Sequence, residues 1–189
     1  MPDGASLYET DFLAWSLQQA EVLRAAARAG SNLPLDFENL AEEIEDLGRR
    51  QRTELRRRLE TIIEHLLKLQ FSPARDPRNG RESTVRRSRR EVAKLLSENP
   101  SLRPMLASVT AEAADIAPIT ARDLAGAGEA EAAAAVRAHG GAFAEAQVLD
   151  DWFPVPPATC LSPPAPPAGS APAAARAGRA RSTARPCPA

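Results

Sequence analysis

One stretch of 35 residues constrains the fold more than any other feature of the sequence. From residue 36 to residue 70, apolar side chains recur at intervals of three and four, as on one face of an α-helix: Leu40, Ile44, Leu47, Leu55, Leu59, Ile62, Leu66 and Leu69. A straight helix of this length measures about 50 Å, which is long for a chain of 189 residues. We therefore expect the helix to bend or break, most readily at Gly48.

The helix boundaries predict an all-α fold, a helical bundle of about five helices. Asp36 is a suitable N-cap for the long helix, and Ser72-Pro73 ends it. The spacing of apolar residues indicates further helical segments, and prolines and glycines mark their ends. These segments lie at residues 7–29, 83–98, 101–124 and 129–151. We expect a Ser6-x-x-Glu9 capping box to open the first of these and Pro118 to kink the third. Only 4% of residues are aromatic and no segment alternates in polarity, which favours helices over a sheet.

The last 36 residues differ in composition from the rest. Ten of residues 154–189 are proline, and alanine is frequent. We expect residues 1–153 to form one α-helical domain and residues 154–189 a disordered Pro/Ala-rich tail. The longest uncharged run, residues 152–175, contains eight prolines and cannot be a membrane helix. The N-terminus contains acids and has neither the basic region nor the apolar region of a signal peptide. The sequence therefore predicts a cytoplasmic protein without a membrane segment.

Charge is segregated along the chain although the net charge is only -1. Residues 1–48 carry 10 acids and 2 bases, whereas residues 49–94 carry 6 acids and 15 bases. Opposed blocks of this kind can pair inside one bundle, or they can present a basic face to an anionic partner.

Two polar residues of the long helix are the sharpest chemical candidates. Glu43 lies between Leu40 and Leu47 on the apolar stripe, and His65 lies beside Leu66. A carboxylate and an imidazole facing a core need partners, so we expect structural groups bonded to Arg, Trp or backbone, with an acid–base or metal site or a binding pocket as the alternatives. The Glu-x-x-His pattern of two-metal helix bundles is absent, and we predict no metal and no cofactor.

Lys68 and Trp15 complete this candidate polar cluster. Lys68 lies one turn after Glu64, which predicts an ion pair. Trp15 and Tyr8 could line a pocket, but aromatic residues at helical spacing are more often part of a core.

Arginines are concentrated between residues 49 and 90. The candidates for binding an anion such as a phosphate group are Arg75, Arg86, Arg87 and Arg90. Several arginines nevertheless have an acid one turn earlier, at Glu45–Arg49, Asp46–Arg50, Glu54–Arg58 and Glu82–Arg86. No aromatic residues alternate with them to stack on bases, so an ordinary charged surface is favoured over a nucleic-acid interface.

Four segments resemble a known family. They are LYETDFLAWSLQQAEVLR at residues 7–24, DFENLAEEIEDLG at 36–48, HLLK at 65–68 and NPSLRP at 99–104. Together they are similar to the domain of unknown function 29 family, which is bacterial, mostly helical and uncharacterised. The resemblance covers about residues 7–124 and extends more loosely to Trp152. It implies a helical fold and no particular chemistry.

These features favour a non-enzymatic helical protein-interaction module. It would hold a protein partner, or form a homo-oligomer by pairing acidic and basic surfaces. Two alternatives stay open: a nucleic-acid-associated protein that uses the arginines of residues 49–90, and a metal-dependent enzyme that uses Glu43 and His65.

Overall fold

The computed structural model describes residues 4–74 and 77–155, and these are helical with no β-strand. The helices are α1 (Gly4–Thr10), α2 (Phe12–Arg28), α3 (Phe37–Phe71), α4 (Arg78–Glu98), α5 (Leu106–Ala113), α6 (Ala117–Gly126), α7 (Ala130–His139) and α8 (Glu145–Leu149). Short 3-10 segments at Pro100–Met105 and Ala114–Ile116 join α4 to α5 and α5 to α6. The all-α prediction is therefore confirmed, while the tail predicted from residue 156 onward lies outside the described residues.

The long helix is the centre of the fold. α3 runs for 35 residues without a break, from the predicted N-cap Asp36, whose side chain accepts a hydrogen bond from the Asn39 amide, to Ser72. The sequence predicted a bend or a break at Gly48, and the break does not occur. Gly48 lies within the helix and is buried against α2, where a Cβ atom would meet Ser16 Oγ at 2.0 Å. Glycine is therefore a close-packing residue here.

The first predicted helix consists of two. Asp11 interrupts residues 7–29, because its carboxylate accepts a hydrogen bond from the Ala14 amide and starts α2 as an N-cap. The capping box predicted at Ser6 does not mark a helix start, because α1 begins before it, at Gly4. The helix predicted at residues 101–124 is also divided, and Pro118 stands in the first turn of α6, where a proline is tolerated. The helix predicted at residues 83–98 begins earlier, at Arg78.

The hydrophobic core surrounds the C-terminal half of α3. From Leu55 onward this helix contributes seven fully buried apolar residues, which pack against α4, α5, α6 and α7. In its N-terminal half only Ala41 and Gly48 are buried. Gly48 faces Ser16 and Leu13 of α2. Residues 17–48, the end of the α2–α3 hairpin, thus extend beyond the core, and we call them the arm.

Candidate functional site

A cavity of about 500 Å³ adjoins His65 in the C-terminal half of α3. Its walls come from α3, from the start of α4, and from the end of α6 with the loop to α7. Six polar side chains line it: His65, Lys68, Arg81, Thr84, Asp123 and Glu129. The apolar part of the wall consists of Leu124, Pro77 and Ala127. The size and the mixture of polar and apolar groups are those of a small-molecule site.

His65 presents an imidazole with an unused hydrogen-bonding atom. The ring is half-buried, and its Nδ1 is buried without a hydrogen-bond partner among the described residues. Burial lowers the pKa of His65 below its ordinary value; the charge of Glu64 opposes this, whereas Lys68 and Arg81 reinforce it. The ring is therefore neutral at pH 7 and can act as a hydrogen-bond donor and acceptor.

The buried histidine predicts a loss of stability in mild acid. The unfolded chain takes up a proton near the ordinary histidine pKa, whereas the folded chain resists it to lower pH. The contribution of His65 is thus complete above the unfolded pKa and is lost as the pH falls through and below it. Burial also lowers the pKa of His139, so the comparison uses a His139→Gln background. Urea unfolding measures how much the free energy of unfolding falls between pH 7.5 and pH 5.5. We expect this fall to be smaller in the protein that also carries His65→Gln, and equal falls in the two proteins would contradict the role of His65.

Lys68 and two arginines fix the wall of the cavity at the end of α3. Lys68 Nζ lies 2.5 Å from Glu64 Oε1, which is the ion pair expected from the spacing. Arg81 Nη1 donates to the Lys68 carbonyl, and Arg78 Nη1 donates to the Leu69 carbonyl. Arg78 thus satisfies a carbonyl that the last turn of the helix leaves without a backbone partner, whereas the Lys68 carbonyl also accepts from the Ser72 amide at 3.1 Å.

Glu43 and His65 are not brought together. Glu43 is exposed, which corrects its predicted place on a buried stripe. α2 packs on Ala41 and Gly48, so the buried side of α3 lies about a quarter-turn from the leucine stripe that includes Glu43. Because α3 is unbroken, Glu43 and His65 lie about 33 Å apart along it.

Trp15 belongs to an aromatic cluster on α1 and α2. Its ring centroid lies 4.8 Å from that of Tyr8 and 5.5 Å from that of Phe12. The adjacent residue, Ser16, faces Gly48, so Trp15 lies beside the arm and not at the cavity.

Of the candidate anion-binding arginines, Arg86 and Arg90 line one pocket together with Arg89 and Asp151. Arg86 pairs with Glu82 at 3.4 Å and Asp151 at 3.9 Å, and its guanidinium lies over the Phe153 ring. Arg87 and Arg90 are exposed, and Arg75 lies outside the described residues.

Arg89 is a buried arginine of α4, and sequence reasoning did not single it out. It is buried and donates to the carbonyls of Val148, Gln147 and Trp152 at 2.7 to 2.9 Å. Burial lowers its pKa, and Asp151 and Asp150 oppose that shift. The signal was present in the spacing, because Arg89 lies four residues after Val85 and three before Val92 on the apolar face of α4.

The arm has a second surface of interest, made of exposed apolar side chains. Ten large apolar residues of the described chain are exposed, and six of them lie in the arm: Leu17, Val22, Leu33, Leu35, Leu40 and Leu47. The first half of α3 has α2 as its packing partner and leaves Leu40 and Leu47 more than a third exposed. Exposed apolar side chains that form a contiguous patch are typical of a binding surface.

Residues 4–74 and 77–155 contain no group of three or more His, Cys, Asp or Glu side chains arranged to hold a metal ion. Over the same residues, no helix is both long and apolar enough to cross a membrane.

Comparison with known proteins places this fold in a family. The family described as Domain of unknown function DUF29 matches residues 7–153. The chain belongs to this family. The match extends past residue 124, where the resemblance of the sequence weakened. A solved structure of an alpha-helical protein of unknown function from Rhodospirillum rubrum is 26% identical, with a TM-score of 0.51, and the match covers 77% of this chain and 90% of that one. No curated protein matches the chain.

Two segments that carry the DUF29 resemblance meet in space. Asp11, in the first segment, accepts hydrogen bonds from the Ser101 amide and hydroxyl at 2.7 and 2.8 Å. Asn99 accepts a bond from the Leu13 amide and donates to the Leu95 carbonyl. These side chains join the start of α2 to the end of α4, so this part of the DUF29 pattern specifies the fold.

Proposed function

We propose that this DUF29 protein is a non-enzymatic interaction module whose arm binds a basic amphipathic helix of a partner protein. The observation that carries the proposal is the number of exposed apolar side chains on the arm, six of the ten in the described chain, of which Leu40 and Leu47 lie on the same side of α3. A surface of leucines on a two-helix projection is suited to receive an apolar helix face.

The geometry of the α2–α3 hairpin places Leu40 and Leu47 on the same side as Trp15. Arg24 pairs with Glu45 at 2.5 Å and marks one side of the hairpin. Leu47 is about 160° around α3 from Glu45, and Leu40 is about 140° from it. Trp15 is about 180° around α2 from Arg24. Leu40, Leu47 and Trp15 therefore lie together on the opposite side, which we call the leucine face.

The charge of the arm supports a basic occupant. Residues 17–48 contain seven acids and two bases, and Arg24 is already paired with Glu21 and Glu45. Exposed Glu43 lies beside the leucine face on α3. A helix with leucines on one side and lysines or arginines along its edges complements this surface in both polarity and charge.

The nucleic-acid alternative has less support. Of the twelve described arginines between residues 49 and 90, eight make ion pairs or hydrogen bonds to backbone carbonyls. The acids that hold six of them would have to be displaced before those arginines could bind phosphate. The metal-enzyme alternative lacks a convergent pair, because Glu43 is exposed and distant from His65.

The test uses a labelled synthetic helix with a leucine face and lysine edges, titrated against the full chain by fluorescence anisotropy. We expect binding that weakens as salt is raised, and none by a peptide with glutamate in place of lysine. Leu40→Ser/Leu47→Ser should weaken binding at least tenfold, or about 1.4 kcal/mol. Ile119→Ser/Met105→Ser, which removes two apolar side chains of similar exposure outside the arm, should leave binding unchanged.

Two results would overturn the proposal. One is equal binding by both double variants, because the leucine face would then have no role. The other is a dimer in sedimentation that Leu40→Ser/Leu47→Ser dissociates, because a second copy of the chain would then be the occupant of the face.

A further inference from the structure

A second pocket lies between α4 and the C-terminal end of the described chain. Its volume is about 380 Å³. Its lining residues are Arg86, Arg89, Arg90, Ala93, Leu149 and Asp151. We call it the arginine pocket. Three positive charges and one negative charge line it, so the pocket is suited to an anionic ligand.

Arg90 is the cation of this pocket that is left unpaired. It is exposed, and it makes neither an ion pair nor a hydrogen bond to any residue of 4–74 and 77–155. Arg86 precedes it by one turn of α4, so two guanidinium groups lie on the same side of the helix. Like charges at this spacing repel each other, and an anion bound between them would remove the repulsion.

Arg86 has partners, but they leave part of its guanidinium available. Its Nη2 donates to Glu82 Oε2 over 3.4 Å, and Glu82 also pairs with Arg78 at 3.3 Å. Its Nε lies 3.9 Å from Asp151 Oδ1, which is too far for a hydrogen bond. The group lies over the Phe153 ring, and a guanidinium stacked in this way keeps the N–H groups of its edge free to donate. The side chain is half-exposed, so a ligand in the pocket can reach them.

Arg89 contributes charge to the pocket without contacting a ligand. It is buried, and its hydrogen bonds go to the carbonyls of Val148, Gln147 and Trp152. These carbonyls have no net charge and leave the positive charge of Arg89 in place. Water screens a buried charge less than an exposed one, so Arg89 strengthens the positive field in the pocket.

Asp151 is the acid of the lining, and it is weakly held. Its side chain is 86% exposed, and within the described residues its printed contact is the long ion pair with Arg86. It can therefore turn into solvent at little cost when a stronger anion enters.

We propose that the arginine pocket binds a small organic phosphate monoester in its dianionic form. The phosphate oxygens accept hydrogen bonds from Arg90 and Arg86, and Asp151 turns towards solvent. The lining has a net charge of +2, three arginines less one aspartate, and a phosphate monoester carries about -1.5 to -2 at pH 7. Ala93 and Leu149 are the apolar part of the wall and contact the carbon group of the ester. This site is separate from the leucine face and does not depend on the function proposed for it.

The first measurement compares phosphate esters that differ in charge. Methyl phosphate and propyl phosphate, which are dianions at pH 7.5, and dimethyl phosphate, which is a monoanion, are titrated against the full chain by calorimetry at constant ionic strength. We expect both dianions to bind with a Kd of about 1 mM or lower, and dimethyl phosphate to bind at least tenfold more weakly. Propyl phosphate should bind more tightly than methyl phosphate, because its carbon chain reaches the apolar part of the wall.

Charge-matched variants locate the phosphate. Arg90→Gln should weaken the binding of methyl phosphate at least tenfold. Arg87→Gln removes an exposed arginine of the same helix that does not line the pocket, and it should bind within about twofold of the parent protein. Asp151→Asn removes the competing carboxylate and should tighten binding. Circular dichroism and Tm without ligand check that the variants fold, and the Leu40→Ser/Leu47→Ser protein should bind the ester normally.

Four outcomes would overturn the proposal. The first is that neither dianion binds at about 10 mM. The second is that dimethyl phosphate binds as tightly as methyl phosphate, because the pocket would then not recognise the dianion. The third is equal weakening by Arg90→Gln and Arg87→Gln, which would indicate a diffuse basic surface of the kind that attracts nucleic acid. The fourth is weaker binding by Asp151→Asn, because the carboxylate would then not compete with the ligand.

Discussion

Replacing Arg89 with methionine should lower the free energy of unfolding by about 3 kcal/mol. The guanidinium donates to three carbonyls around the end of α8, at Val148, Gln147 and Trp152, and it also lies over the Phe153 ring at 4.9 Å. Methionine is of similar length but donates no hydrogen bond. The three carbonyls would lose charge-assisted bonds, and the segment from Glu145 to Val155 would detach from α4 more readily.

Urea unfolding measures the loss of stability, and limited proteolysis measures the release of the C-terminal segment. We expect cleavage between residues 145 and 155 to accelerate more than cleavage elsewhere. Arg89→Lys keeps the charge but lacks the forked donors, so its stability should lie between those of the parent and the methionine variant. Arg87→Met is the matched control, because Arg87 is exposed on the same helix, and it should change stability by less than about 0.5 kcal/mol. Equal effects at positions 87 and 89 would show that the three carbonyl contacts contribute little.

The elements whose structure depends on local sequence were predictable. The N-cap Asp36, the regular apolar spacing and the Ser72-Pro73 stop are enough to define α3. The ion pairs Glu45–Arg49, Glu54–Arg58 and Glu82–Arg86 follow from i,i+4 spacing and are present, whereas Arg49 also takes the acid Asp46 that was assigned to Arg50. One helical turn determines each of these contacts, so one sequence suffices to find them.

The orientation of the arm could not be obtained from the same spacing. Leucine spacing indicates that Leu40 and Leu47 face a core, but the actual contact with α2 is made by Ala41 and Gly48. Small residues allow closer approach of two helices than leucines do, and a hydrophobicity pattern gives them little weight. The apolar stripe is consequently rotated towards solvent, and Glu43 is exposed with it.

The cavity depends on contacts between distant segments. His65 and Lys68 were candidates from the sequence, but Arg81, Asp123 and Glu129 approach them only because α4, α6 and α7 pack around the end of α3. No periodicity relates residue 65 to residue 129. Arg89, unlike the residues of the cavity, could have been found from the sequence. It lies on the apolar face of α4, and a charge in that position needs a partner because burying it alone is costly.

Gly48→Ala should destabilise the protein by about 2 kcal/mol, although alanine is the better helix former. The new Cβ would lie 2.0 Å from Ser16 Oγ and 3.1 Å from Leu13 Cδ1. Ser16 is fully buried and its hydroxyl donates to the Leu13 carbonyl at 2.8 Å, so the oxygen cannot move away without losing that bond. α2 and α3 would have to separate, and the contact that attaches the arm to the core would weaken.

A second helical glycine separates this packing effect from helix propensity. Gly80 lies in α4 with no heavy atom within 4 Å of the position of its Cβ, so Gly80→Ala should stabilise the protein by about 0.5 to 1 kcal/mol. Ser16→Ala combined with Gly48→Ala removes the oxygen that clashes and leaves contacts above 3 Å, so it should recover most of the loss. Urea unfolding of the parent, Gly48→Ala, Ser16→Ala and the double variant gives the coupling between positions 16 and 48. If Gly48→Ala were as stable as Gly80→Ala, the close approach of α2 and α3 at Gly48 would not be what holds the arm.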